Sequence, residues 1–181
     1  MSQGRRSART QGEGERGRSV AAAALVGAAA MAAVDEIVFH QVLGWHHFFD
    51  RSTPAIGLLS DGLLHTAELL ALVAGFVMWA DLRRRRALSA AHASAGLLLG
   101  LGGFQLFDGL VNHKVLWLHQ IRYGVPDLLP YDVAWNGAGL VLVAAGTVLA
   151  VRARRVGRRA QPGTRTGPDA GPDTDQEEIH R

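Results

Sequence analysis

Long apolar runs separated by short polar ones set the pattern of this chain. An Ala-rich run of 25 residues extends from Ser19 to Leu43. A hydrocarbon layer about 30 Å thick is crossed by roughly 20 helical residues, so this run predicts a membrane-spanning helix. Three further runs, at about 58–80, 88–118 and 131–151, predict three more spans. The third is longer than a bilayer requires, and tilt or protrusion into the headgroups is expected. The connections 44–57 and 121–130 carry prolines and read as loops, with Trp45 at the start of the first marking an interface. Residues 1–18 and 156–181 have almost no large apolar residues and predict disordered tails. Basic residues ahead of an Ala-rich core also fit a cleaved leader, but the first span runs directly into a polar motif and is read as part of the fold. The fold class predicted is all-α, a transmembrane four-helix bundle.

The polar positions within the apolar runs repeat. Asp35, His40 and His46 recur as Asp108, His113 and His119, at an offset of 73. At an offset of 71, Asp61 aligns with Asp132, His65 with Asn136, Gly75 with Gly146 and Arg84 with Arg155. The bundle is therefore expected to consist of two tandem helical-hairpin repeats, 19–86 and 88–155. A repeat with an even number of spans keeps its orientation, which places the symmetry axis along the membrane normal.

Charge changes this picture by orienting it. The chain has 19 Lys+Arg against 16 Asp+Glu, and its arginines lie in blocks beside the spans. Those blocks occupy the N-terminal segment, 83–86 and 152–159, whereas the other two connections hold only Arg51 and Arg122. This is a membrane-topology pattern; the lipid bilayer is the partner implied and nucleic acid is not. Both termini are expected in the cytoplasm, with the repeated motif facing out.

Candidate chemistry follows from that placement. An ionisable group at mid-bilayer costs at least about 2.5–3.5 kcal/mol, so such groups face a bundle interior and have partners. Asp35, Glu36, His40, Asp61, His65, Glu68, Asp108, His113 and Asp132 all fall in the outer layer of their spans. Asp61, His65 and Glu68 share one helical face, as do Glu36 and His40. Asp35 and His40 are five apart and not co-facial on an α-helix, so Asp35 is expected to orient a ligand or reach a neighbouring helix. With no cysteine in the chain, a metal would take nitrogen and oxygen donors, a set that suits copper, iron, zinc or manganese. The ligands expected are His40, His65 and His113, with Glu68, Asp61, Asp35 and Asp108 as further ligands or orienters. Haem b held between His40 and His113 is the case that symmetry invites. A proton or ion relay, and a buried polar network that only locks the helices, are the competing readings. An open coordination position would permit redox chemistry. His46, His47 and His119 read as interfacial loop histidines, either solvated or completing a site. His92 reads as incidental, and Lys114 as snorkelling or paired with an acid.

Four segments carry a resemblance. The Asp35–His46 motif, Ser-Asp-Gly-Leu-Leu-His at 60–65, Phe-Asp-Gly-Leu-Val-Asn-His-Lys-Val-Leu at 107–116 and Tyr-Asp-Val-Ala-Trp-Asn at 131–136 together resemble the bacterial DUF2243 family of four-span membrane proteins. The match covers about 19–155 and excludes the tails. It implies a multi-pass protein of the bacterial plasma membrane in which these histidines and acids matter. It also implies an association with respiratory oxidases or their assembly factors, and so with copper or haem.

Overall fold

The computed structural model describes residues 2–159, and every regular element among them is helical. Helix α1 spans Ser2–Val34 and continues as a π-helical end, Asp35–Val42. Helix α2 spans Pro54–Arg84. Helix α3 spans Ala90–Leu106 and has its own π-helical end, Phe107–Val115, and α4 spans Leu129–Arg159. All four are long and apolar enough to cross a membrane.

The helices are arranged around a central pair. α1 packs on α3, α2 packs on the outer side of α1, and α4 on the outer side of α3. Among the described residues the backbone of α2 approaches neither α3 nor α4, and α1 meets α4 through side chains, as where the Phe39 and Trp135 rings lie 5.3 Å apart. The most apolar stretches of α1 and α3 are accordingly 44% and 39% buried, against 11% each for α2 and α4. Leu58, Leu63, Leu70 and Val77 of α2 and Leu140 and Val141 of α4 are exposed, which is the surface a lipid-facing helix presents.

Small residues explain why the central pair is so close. A Cβ on Gly27 would overlap the Leu97 carbonyl, and one on Gly100 would overlap the Ala24 backbone. Gly27 and Gly100 are equivalent at the offset of 73. In the same way Gly75 of α2 lies against Val26 and Ala22, while Gly146 of α4 lies against their equivalents Leu99 and Ala95. Where no hydrophobic force separates helix from lipid, such backbone approach supplies the packing attraction that holds helices together. Gly100→Leu should cost about 3 kcal/mol by forcing α1 and α3 apart. Gly103→Ala, with open space at its Cβ, should be neutral or gain up to about 1 kcal/mol. Unfolding of the two variants in detergent checks this.

The helix ends differ from the expected spans. α1 begins at Ser2, so residues read from sequence as a tail continue the helix. Ala, Arg, Gln and Glu are good helix formers, and a segment joined to an existing helix avoids the cost of nucleation. α2 starts at Pro54, inside the expected loop, because the Thr53 hydroxyl accepts from Ile56 N at 3.4 Å and proline fits the first helical turn. α4 continues past the expected boundary to Arg159; residues 160–181 of the second tail lie outside the described residues.

Candidate metal centre

The two copies of the repeated motif wind in the same unusual way. Leu43 N donates to Val38 O at 2.9 Å and Leu116 N donates to Val111 O at 2.7 Å, both five-residue steps. Trp45 N then donates to Phe39 O at 2.9 Å, and Leu118 N to Asn112 O at 3.0 Å. Each turn closes on a left-handed residue, Gly44 at φ 57° and Trp117 at φ 55°. Glycine suits that conformation, whereas tryptophan occupies it at a cost of about 1–2 kcal/mol. Gly44→Ala should therefore lose about 1 kcal/mol of stability, read as a lower unfolding midpoint.

π-helical hydrogen bonds run from residue i to i+5, and this changes which side chains meet. Asp35 Oδ2 stands 3.6 Å from His40 Nε2, and Asp108 Oδ2 stands 3.1 Å from His113 Nε2. The five-residue winding thus brings each aspartate onto the face of its histidine, which α-helical spacing would not, and of the two expectations for Asp35 the orienting contact with His40 is the one seen.

Past each turn the chain folds back and brings a second histidine inside. His40, His46, His113 and His119 are 3%, 5%, 1% and 1% exposed. Their rings form a two-fold arrangement. Ring centroids of His40 and His46 lie 4.5 Å apart and those of His113 and His119 lie 4.6 Å apart, at 70° and 75°. The cross pairs His40–His119 and His46–His113 are both at 6.0 Å. His46 and His119 stack on the axis, 4.5 Å apart and 6° from parallel.

The ring nitrogens are set for coordination. His119 Nδ1–H donates to Phe48 O at 2.8 Å, which makes Nε2 the nitrogen with the lone pair, able to accept a hydrogen bond or to bind an ion. That Nε2 is 2.9 Å from His113 Nε2 and 3.7 Å from Asp108 Oδ1. Two nitrogens so spaced match ligands about 2.0–2.1 Å from one ion, roughly at a right angle. Both nitrogens of His46, Nε2 of His40 and Nδ1 of His113 are buried with no hydrogen-bond partner. An orphaned buried polar atom costs about 1–3 kcal/mol, so four in one cluster call for a missing partner. Burial, then the neighbouring imidazoles, hold the His46 ring down to about 2. Burial holds His119 down to about 4, against the pull of Asp108. Both are therefore neutral at neutral pH, the form that binds metal.

Three sets of donors lie close enough to share an ion: His40, His46 and His119; Asp108, His113 and His119; and Glu36, His40 and Asp61. Around them the symmetry breaks. His40 Nδ1 approaches Glu36 Oε2 at 2.8 Å and Asp61 Oδ1 at 3.1 Å. Asp61 also holds His47 Nδ1 at 2.6 Å and accepts from Phe48 N at 2.7 Å. In the second repeat Gly109 stands in place of Glu36 and Gly139 in place of Glu68, and Asp132 is neutralised by Lys114 at 2.6 Å. The acidic shell thus belongs to the first half. Asp35, Glu36, Asp61, Glu68 and Asp108 are each at most 4% exposed. None of them pairs with lysine or arginine among the described residues.

Of the residues expected from sequence, Asp35, His40, Asp61, Asp108 and His113 come together in this cluster. Glu68 is buried at its edge, but His65 is not brought in: its side chain is 47% exposed and meets Glu68 Oε1 at 2.5 Å. Sequence reasoning undervalued His46 and His119. Their shared register in the repeat was the available signal, since His47 has Gln120 as its equivalent. Above the cluster Arg122 lies 4.6 Å over the Trp45 ring and 5.2 Å from that of Tyr131, and Asp50 N donates to Leu118 O at 3.1 Å. These contacts tie together the chain segments that follow the two π-helical ends and cover the histidines.

No curated protein and no solved structure matches the chain. A family described as "Predicted membrane protein" matches residues 22–153, which includes every residue of the histidine and carboxylate cluster. The chain therefore belongs to the DUF2243 family of membrane proteins.

Proposed function

We propose that this protein binds a transition metal in the outer half of the bacterial plasma membrane, with both termini in the cytoplasm. The observation that carries the reading is the convergence of four buried histidines, three of them with ring nitrogens that lack a partner, beside five carboxylates that no lysine or arginine neutralises among the described residues. His40, His46, His113, His119, Asp108 and Asp35 are the ligands; Glu36, Asp61 and the Phe48 carbonyl orient them. Donors limited to nitrogen and oxygen favour copper, iron, zinc or manganese. The haem alternative is less well supported, because the stacked rings of His46 and His119 fill the space between His40 and His113. A transmembrane relay would need carriers all along the other half of the spans, where Ala22, Ala23, Ala29 and Ala95 of the α1–α3 core separate the cluster from Ser19 and His92 at the far end. Metal handling or redox work beside a respiratory oxidase is the setting that fits such a centre.

Purified protein stripped with chelator and titrated with copper, iron, zinc and manganese tests this proposal. At least one of these ions should bind stoichiometrically and raise the unfolding temperature. Failure of all four, with no Soret band in the untreated protein and no gain from added haem, would overturn it.

A further inference from the structure

At the end of the bundle opposite the histidines, the backbones of α1 and α4 stay apart on either side of α3, and a groove opens between them that the Arg16 side chain crosses to reach Gly157. It holds two adjoining cavities of about 500 and 600 Å³ that share Arg16, His92 and Gly157. Arg152 lines the first, and Arg154 and Arg155 line the second. Deeper in, the walls are apolar: Val20 from α1, Leu99 from α3 and Val151 from α4. None of the four arginines has an acidic partner among the described residues; Glu13, also on the rim, is engaged in an interaction of its own. His92 is buried and meets the Ser89 hydroxyl at 2.8 Å.

The other repeat keeps only part of this chemistry at the equivalent place: Arg83 and Arg84 stand for Arg154 and Arg155, but Asp81, which pairs with Arg84 and Arg85, stands for Arg152. Ser89 stands for Arg16 and Ser19 for His92, and those two serines are joined by a bond from Ser89 N to Ser19 Oγ at 3.1 Å. Trp79 stands where α4 has Ala150. The groove is thus a feature of one half, as the acidic shell is of the other.

We infer that this groove binds an anionic glycerophospholipid, its phosphate among Arg16, Arg154 and Arg155 and an acyl chain along Val20, Leu99 and Val151. Clustered arginines suit a phosphate because the guanidinium offers a planar fork of donors. An apolar channel running from that cluster toward the bilayer suits a lipid and not a free anion. In the orientation proposed above this end faces the cytoplasmic leaflet, where anionic lipid attracts basic residues.

The test uses full-length protein in a neutral detergent, titrated with phosphatidylglycerol, phosphatidylcholine or inorganic phosphate while retained lipid is counted by native mass spectrometry. Phosphatidylglycerol should bind, and Arg16→Gln/Arg154→Gln should weaken it about thirtyfold, each arginine counting for roughly fivefold at a membrane surface. Arg83→Gln/Arg86→Gln, which removes the same charge from the same end outside the groove, should leave binding within about twofold. Equal binding of phosphatidylcholine would overturn the inference, as would an equal effect of inorganic phosphate. So would equal loss in the two double variants, because that would report only a basic surface.

Discussion

His119→Ala is expected to weaken metal binding by at least about 100-fold, more than any other single histidine replacement, since outer partners alone are worth about 10–100-fold. The reason is its position. Like His40, His119 is common to two of the three donor sets; unlike His40, its tautomer is fixed by the Phe48 carbonyl at 2.8 Å and its ring stacks on His46 across the symmetry axis. His47→Ala should cost about tenfold, because His47 acts only on Asp61, which in turn orients His40. His65→Ala, on the exposed face of α2, should leave affinity unchanged. Competition with a chromophoric chelator measures all three. A reversed order, with His65 dominant, would move the site to the α2 surface.

Asp108→Asn is expected to change stability in opposite directions in the two states of the protein. In the metal-free protein the replacement removes one of five buried carboxyl groups and keeps a polar group for Asn112, whose Nδ2 donates to Asp108 Oδ1 at 3.0 Å. A gain of about 1 kcal/mol is expected, from relief of the repulsion between Asp108 and the neighbouring buried carboxyl of Asp35. In the metal-loaded protein the same replacement removes a ligand, and the lost binding free energy appears as lost stability. A network that served only to lock the helices would be weakened by Asp108→Asn with or without metal. Unfolding midpoints of chelated and metal-saturated samples therefore separate the two roles.

Much of this arrangement was legible in the sequence. Apolar run length identified the four helices, and the offset between the two copies of the motif placed Asp35, His40, Asp108 and His113 in symmetry. The winding was not legible. Whether Val38 accepts from the residue four or five further on depends on tertiary context, and α-helical spacing therefore left open whether Asp35 orients His40 or reaches a neighbouring helix. His46 and His119 were hidden for a related reason: they follow the helix ends, where residues are ordinarily solvated, and only the left-handed turns at Gly44 and Trp117 send them back inside. The order of helices was half legible. Gly27 and Gly100 are equivalent positions, but that they face a neighbouring backbone, and which one, appears only in the packed structure. The asymmetry proved broader than the replacement of His65 by Asn136, because Gly109 and Gly139 also remove the acids that surround His40.

X-ray absorption at the edge of the bound metal tests most directly whether the duplicated turns hold an ion between them. The account predicts nitrogen and oxygen scatterers at about 2.0–2.1 Å, with the outer-shell pattern of several imidazole rings, and loss of that pattern in His119→Ala. A first shell of oxygen alone, or an imidazole pattern unchanged in His119→Ala, would contradict it.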